Sequence, residues 1–356
     1  MSRPAIFADL EFDAALAKTA AEKKLLLVDA TASWCGPCNT MDRTTWIDAA
    51  VIDALREKAL AIQIDVDEKS DVAKKLNIMA MPTVIAFRDG VELDRVVGLQ
   101  RREQLLEWLD GLARGETTLD RQRAASAAKP NDMQARMSLA KSLFAAGKLD
   151  EAAKEFVWLW EHVLEHEPAM VGVRHSYLVG DLERVSALHP PTREALVRLR
   201  DAAAPESGAT LDAKPLADWF SLNHALGENA RVVAWFDASH PRANGDKKLA
   251  WLLESHLVPL LLEANRWADA GTLFEAPLAT LESTAELKQH MKGLPPEVAD
   301  QFREYATEKL RTDAAMLVRA LRAANRDDDA KAVAAEARKL DDSAEMSAAL
   351  RGAESA

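Results

Sequence analysis

The chain has 356 residues, 48% of them hydrophobic and 29% charged, which excludes collagen-like, disulfide-stapled and strongly disordered classes and leaves room for two or three domains. Its net charge is −12, with 15 basic and 20 acidic side chains in residues 1–116 and 30 and 37 in residues 117–356. Neither part offers the basic field that attracts nucleic acid or anionic lipid, so no nucleic-acid or membrane partner is expected. No apolar run of about 18 residues predicts a membrane-spanning helix. The opening MSRPAIFADLEFDAAL lacks the apolar core of a signal peptide, so a cytoplasmic address is expected. Nine Trp against two Tyr point to helix packing rather than a Tyr-rich strand sandwich.

In chain order, residues 25–31, LLLVDAT, predict a buried strand. It runs into Ser33-Trp34-Cys35-Gly36-Pro37-Cys38, and a helical pattern follows to roughly Leu55. Strand, turn and helix place Cys35 near a helix N-terminus. Unpaired N–H groups and the positive dipole end favour a thiolate there, and the thiolate is the attacking species in disulfide exchange. Cys35 and Cys38 are the only cysteines, and all eight histidines lie at position 162 or later. A zinc site needs about four ligands, so neither metal nor cofactor is expected at the pair. Further on, VIAF is a strand, Asp89-Gly90 a hairpin turn, and Arg101 to Arg114 a helix.

These residues together resemble the thioredoxin family over roughly residues 8–115. Trp34-Cys35-Gly36-Pro37-Cys38 is identical to that family's active-site motif. Asp29, six residues before Cys35, matches its buried carboxylate, Met81-Pro82-Thr83 its cis-proline loop, and Val97-Gly98 the end of its next strand. The resemblance implies that Cys35 attacks a substrate disulfide and that Cys38 resolves the mixed disulfide. It implies that Asp29 carries protons for Cys38, that Trp34, Met81 and Pro82 bind substrate, and that Gly36 and Pro37 set the active-site geometry. Two positions depart from the pattern: Arg43 stands where a proline is usual, and Ala61 where a lysine often accompanies the buried carboxylate. Met41 to Val51 looks more like thioredoxin-like domains of the thiol:disulfide interchange type.

After Gly115-Glu116-Thr117-Thr118 the pattern becomes helical, with a boundary helix running to about Pro130. Residues 133–166 read as a helix, a Gly turn and a second helix, with Leu139, Ala140, Gly147, Ala152 and Phe156 on the tetratricopeptide (TPR) pattern. Similar pairs occupy 251–276 and 311–340, where Asn265 and Asn325 replace the turn glycine and Ala270 and Ala330 take the small position. A less regular pair spans 215–237. Trp158, Trp160, Trp219, Trp235, Trp251 and Trp267 are expected in the core. His162 and His166, four apart on one helix, lack a third ligand, and the acidic run at 326–330 reads as a solvated turn between helices.

The expected architecture is an α/β thioredoxin-like redox domain, residues 1–116, followed by an all-α domain of degenerate TPR-like repeats, residues 117–356. The expected function is thiol–disulfide exchange on protein disulfides, with the helical domain docking partners or clients. This domain order resembles the thioredoxin–TPR chaperedoxins, which combine holdase activity with redox protection. Two alternatives remain open: a chaperone or holdase, and an adaptor, in both of which the CxxC pair senses oxidation rather than turning over.

Overall fold

The computed structural model describes residues 3–78, 80–206, 210–286 and 296–355. They form two compact units, Met1–Glu167 and Pro168–Ala356. Among the described residues no helix is long and apolar enough to cross a membrane.

The first unit begins with helix α1 (Phe12–Glu22), strand β1 (Leu25–Thr31) and helices α2 (Gly36–Thr44) and α3 (Ala49–Lys58). Strand β2 (Ala59–Asp65), helix α4 (Ser70–Lys75), the hairpin β3 (Thr83–Arg88) and β4 (Val91–Val97), and helix α5 (Arg102–Arg114) follow. The sheet order is β2-β1-β3-β4. β1 runs parallel to β2 and antiparallel to β3. The β3–β4 turn is the expected Asp89-Gly90 pair, both residues at positive φ, as a two-residue hairpin turn requires.

Successive strand residues face opposite sides of a sheet, and β1 uses both sides. Leu25 and Leu27 pack with Val51, Leu55, Leu105 and Trp108 of α3 and α5. Leu26, Val28 and Ala30 pack with Phe12, Ala15, Ile62 and Ile85 on the other side. A strand buried on both faces reads as the near-continuous apolar run seen in the sequence. Asp29 shares the parity of Leu25 and Leu27, so it lies on the same side as Met41 and Trp46.

The helix expected from Gly36 to Leu55 is two helices. Thr45 Oγ1 donates to Gln100 O at 2.7 Å, and Trp46 is buried in an edge-on contact with Phe7, ring centroids 5.0 Å apart. Asp48 then starts α3 by accepting from Ala50 N at 2.9 Å and Val51 N at 3.3 Å. Such a capping carboxylate competes with helix continuation.

Three further helices complete this unit: α6 (Thr118–Ala128), α7 (Met133–Ala145) and α8 (Leu149–His166). Asp94 of β4 holds the start of α6, its Oδ2 accepting from Thr118 N at 2.6 Å, Thr118 Oγ1 at 2.7 Å and Trp108 Nε1 at 2.7 Å. α7 and α8 form the expected pair. Gly147 adopts positive φ between them, and Leu139, Ala140, Ala152 and Phe156 are buried along the seam.

The second unit is helical throughout its described residues. A single 3-10 turn (Pro168–Met170) leads into α9 (Val171–Val173), a π-helical turn (Arg174–Leu178) and α10 (Val179–Leu188). Then come α11 (Pro190–Ala202), α12 (Ala213–Ala225), α13 (Asn229–Ser239), α14 (Lys247–Glu263), α15 (Trp267–Leu273), α16 (Pro277–Glu286), α17 (Pro296–Ala323), α18 (Asp327–Leu340) and α19 (Ala344–Ser355). Gly227, Asn265 and Asn325 take the left-handed turns inside three helix pairs, a conformation open to Gly and tolerated by Asn. Ala270 and Ala330 are buried in the same core. Asp327, Asp328 and Asp329 occupy the first turn of α18, where the positive dipole end favours them, rather than a free turn. Of the tryptophans expected in the core, Trp160 and Trp219 are buried, but Trp251 is 69% exposed on α14. The apolar periodicity of α14 is carried by Leu249, Leu252, Leu253 and Leu257 instead.

Candidate functional site

The site grows from the junction of β1 and α2. Cys35 caps α2, with Pro37 in its first turn, a position that needs no backbone donor and suits the fixed φ of proline. The two cysteines form a disulfide and are 5% and 2% exposed. Cys38 N donates to Cys35 Sγ at 3.2 Å. That places a backbone N–H and a helix N-terminus at the Cys35 sulfur, surroundings that favour a thiolate over a thiol. Gly36 and Pro37 lie on the exposed rim.

Two apolar side chains flank the sulfurs. Trp34 is 67% exposed, and its Nε1 donates to Asp67 Oδ2 at 2.8 Å. Asp67 is held in turn through its own N–H on Asp65 Oδ1 at 2.9 Å. Met81 packs with Val66 against Ala32, Cys35 and Cys38. The Met81–Pro82 peptide bond is cis, and Pro82 O accepts from Gly98 N at 2.8 Å. The fold thus gathers Trp34, Cys35, Cys38, Met81 and Pro82, separated by up to 48 residues in sequence, around one disulfide.

Asp29 is 3% exposed within the sheet. Its Oδ2 accepts from Gln63 Nε2 at 3.0 Å, while Oδ1 is buried without a hydrogen-bond partner. Burial pushes its carboxyl up to about 7, against the pull of Gln63 and with a push from the nearby Asp42 charge. The Trp46 indole also acts downward on it, although Trp46 Nε1 makes no hydrogen bond. Gln63 Nε2 donates as well to Asp42 Oδ1 at 2.9 Å, and partial burial raises the Asp42 carboxyl.

Gln63 and Asp42 escape a sequence reading that looks for a lysine at Ala61. Parallel register pairs Asp29 with Gln63 and Leu27 with Ala61, so the side chain that meets the carboxylate comes two residues later on the same face. The available signal is spacing: Asp42 lies four residues after Cys38, on the same face of α2.

Elsewhere, His162 and His166 both lie against Trp158, ring centroids 4.7 and 5.8 Å away, and the Arg136 guanidinium sits 3.5 Å from that ring's centroid. No group of three or more His, Cys, Asp or Glu side chains that could hold a metal occurs among the described residues. In the second unit Ser221, His175 and Asp218 come together. Ser221 Oγ lies 2.9 Å from His175 Nδ1, and His175 Nε2 lies 3.4 Å from Asp218 Oδ1. Ser221 is 3% exposed, and both oxygens of Asp218 bind Arg174. Ser221, the member that would act as nucleophile, is thus buried, while His175 and Asp218 are partly exposed.

Comparison with known proteins matches residues 4–111 to the thioredoxin family model. An H-type thioredoxin of Oryza sativa subsp. indica is 40% identical over 94 residues, 26% of this chain and 71% of that protein. A thioredoxin of Staphylococcus aureus is 39% identical over 106 residues, 29% of this chain and 90% of that protein. Among solved structures, a thioredoxin from Thermus thermophilus matches with a TM-score of 0.27 and 22% identity, covering 29% of this chain and 83% of that one.

Proposed function

The chain belongs to the thioredoxin family through residues 4–111, and from that premise we propose that it is a cytoplasmic protein-disulfide reductase whose helical remainder docks partners or clients. The thiol–disulfide chemistry follows from the family and the Cys35–Cys38 pair. The observation that carries the finer reading is Cys35 Sγ at the head of α2, receiving the Cys38 N–H, beside exposed Trp34 and the Met81–Pro82 loop.

In the reduced protein the Cys35 thiolate attacks one sulfur of a substrate disulfide, and the other sulfur leaves as a thiolate. Cys38 gives up its proton to Asp29 and attacks Cys35, releasing the second substrate sulfur and restoring the Cys35–Cys38 disulfide. The substrate gains two electrons and the dithiol loses two. Trp34 and Met81 offer apolar surface to an extended peptide beside the bond under attack, and the backbone of Met81, next to Pro82, offers it hydrogen bonds. Reduction is the favoured direction in a cytosol, whose glutathione poise is reducing. The use of every cysteine for the redox pair supports that setting. The helix pairs of the second unit are of the kind that repeat proteins use to bind partners, which supports a role in docking.

Turnover of a protein disulfide tests the reading. The reduced full chain is expected to reduce insulin, Cys35→Ser to abolish the activity, and Cys38→Ser to accumulate a mixed disulfide through Cys35. Suppression of client aggregation without turnover in the unmodified protein would replace this reading with the holdase alternative.

A further inference from the structure

One helical turn beyond the resolving cysteine, α2 carries an acid. Cys38 and Asp42 share a helix face through their four-residue spacing, and Asp42 reaches the sheet through Gln63. The Gln63 amide nitrogen has two hydrogens to donate. Asp29 Oδ2 accepts from this nitrogen at 3.0 Å and Asp42 Oδ1 at 2.9 Å. Two carboxyl groups are thereby held one amide apart, and Asp29 Oδ1 is left buried and unpartnered.

Burial raises the Asp42 carboxyl, the positive chain terminus pulls it down, and few other charges reach this place. Among the described residues, α2 contributes Cys35, Cys38 and Asp42, and β1 contributes Asp29. β2 contributes the neutral Gln63, β3 places Val84 opposite Asp29, and the segment after α2 contributes the Trp46 indole. Arg43 is exposed, and Asp65, at the end of β2, turns its Oδ1 to the backbone of Asp67 and Glu68.

We propose that Asp42 and Gln63 are positioning residues for Asp29: the amide fixes Asp29 Oδ2, so that Oδ1 takes the Cys38 proton, and the Asp42 charge keeps Asp29 basic enough to do so. This deepens the reductase reading and rests on it. In the resolving step the Cys38 S–H proton passes to Asp29 Oδ1. The freed electron pair on sulfur makes the Cys38–Cys35 bond, the bond from Cys35 to the substrate breaks, and the substrate leaves as a thiolate. A like charge nearby disfavours ionisation, and a hydrogen bond to the ionised form favours it. The direction of the Asp42 and Gln63 effects on Asp29 agrees with this division of labour.

The test uses the full chain and two variants with opposite expectations. Asp42→Asn keeps an oxygen acceptor for Gln63 but removes the charge. The Asp29 carboxyl midpoint, followed by carbon-13 NMR in the oxidised protein, is expected to fall by about half to one pH unit. Gln63→Leu removes the donor, and the midpoint is expected to rise. The pH profile of mixed-disulfide resolution, read in single turnovers with a model disulfide, is expected to move in the same directions. A midpoint unchanged or raised in Asp42→Asn overturns the proposal, as does one lowered in Gln63→Leu. The two readings fail separately: a wild-type chain that reduces no disulfide removes the reductase reading, while the NMR titration decides the coupling by itself.

Discussion

At the residue scale, Asp29 links chemistry to stability. Its ordinary carboxyl value is 3.8, and burial raises it to about 7 in the folded chain. Between those values the folded state holds more protons than the unfolded state, so stability falls as pH rises through that window. Below the lower value both states are protonated and the cost vanishes; above the upper value it is fully present. Asp29→Asn keeps an oxygen acceptor for Gln63 and removes the charge. It is expected to stabilise the oxidised protein by about 2–4 kcal/mol at pH 8 and hardly at all at pH 3, read from denaturant unfolding at the two pH values. Equal effects at both would contradict the buried-charge explanation. Cys35, Cys38, Asp29 and Pro82 are recognisable in the sequence because each sits in a short local motif. Gln63 and Asp42 are not, because their roles depend on which residue of β2 lies beside Asp29, a matter of strand register rather than of neighbours along the chain.

At the scale of elements, the Asp94 carboxylate joins β4, α5 and α6. Trp108 is buried, and its N–H and both polar groups of Thr118 converge on Asp94 Oδ2. Asp94→Ala leaves the indole donor without its acceptor, at an expected cost of about 1–3 kcal/mol. Faster amide hydrogen exchange at the start of α6 is the accompanying sign, and unchanged exchange there would remove Asp94 from that role. The helix pairs were legible because each carries a Gly or Asn at its left-handed turn between apolar stripes, as at Gly147, Asn265 and Asn325. The break between α2 and α3 was not. Apolar spacing continues across Trp46 and Ile47, and the chain is turned by the Asp48 cap and the Thr45–Gln100 hydrogen bond, the latter a tertiary contact. The π-helical turn at Arg174–Leu178 likewise has no local signal; its Arg174 is fixed by Asp218, 44 residues on.

At the scale of the whole molecule, every residue assigned to the redox site lies in the first unit, and the second has a core of its own. That core is close-packed at Gly271 of α15, where an added Cβ would stand 2.0 Å from Ala320 O of α17. Gly271→Val is expected to cost the second unit about 3 kcal/mol or more, seen as an earlier loss of helical signal on heating. Reduction of a small model disulfide is expected to persist. Loss of that activity with the helical unit still folded would contradict the assignment of catalysis to the first unit. The helical half was legible as helices and pairs but not as a regular array, because its turns at 147, 265 and 325 follow no constant period.

The central claim is that the Cys35–Cys38 pair works as a reductant of protein disulfides. Its most direct test is the reduction potential of the intact protein, measured by equilibration with glutathione buffers and thiol trapping. A value near the thioredoxin end of the scale, about −270 mV, is expected. A value of about −120 to −180 mV would contradict the claim and assign the pair to disulfide formation, isomerisation or oxidant sensing.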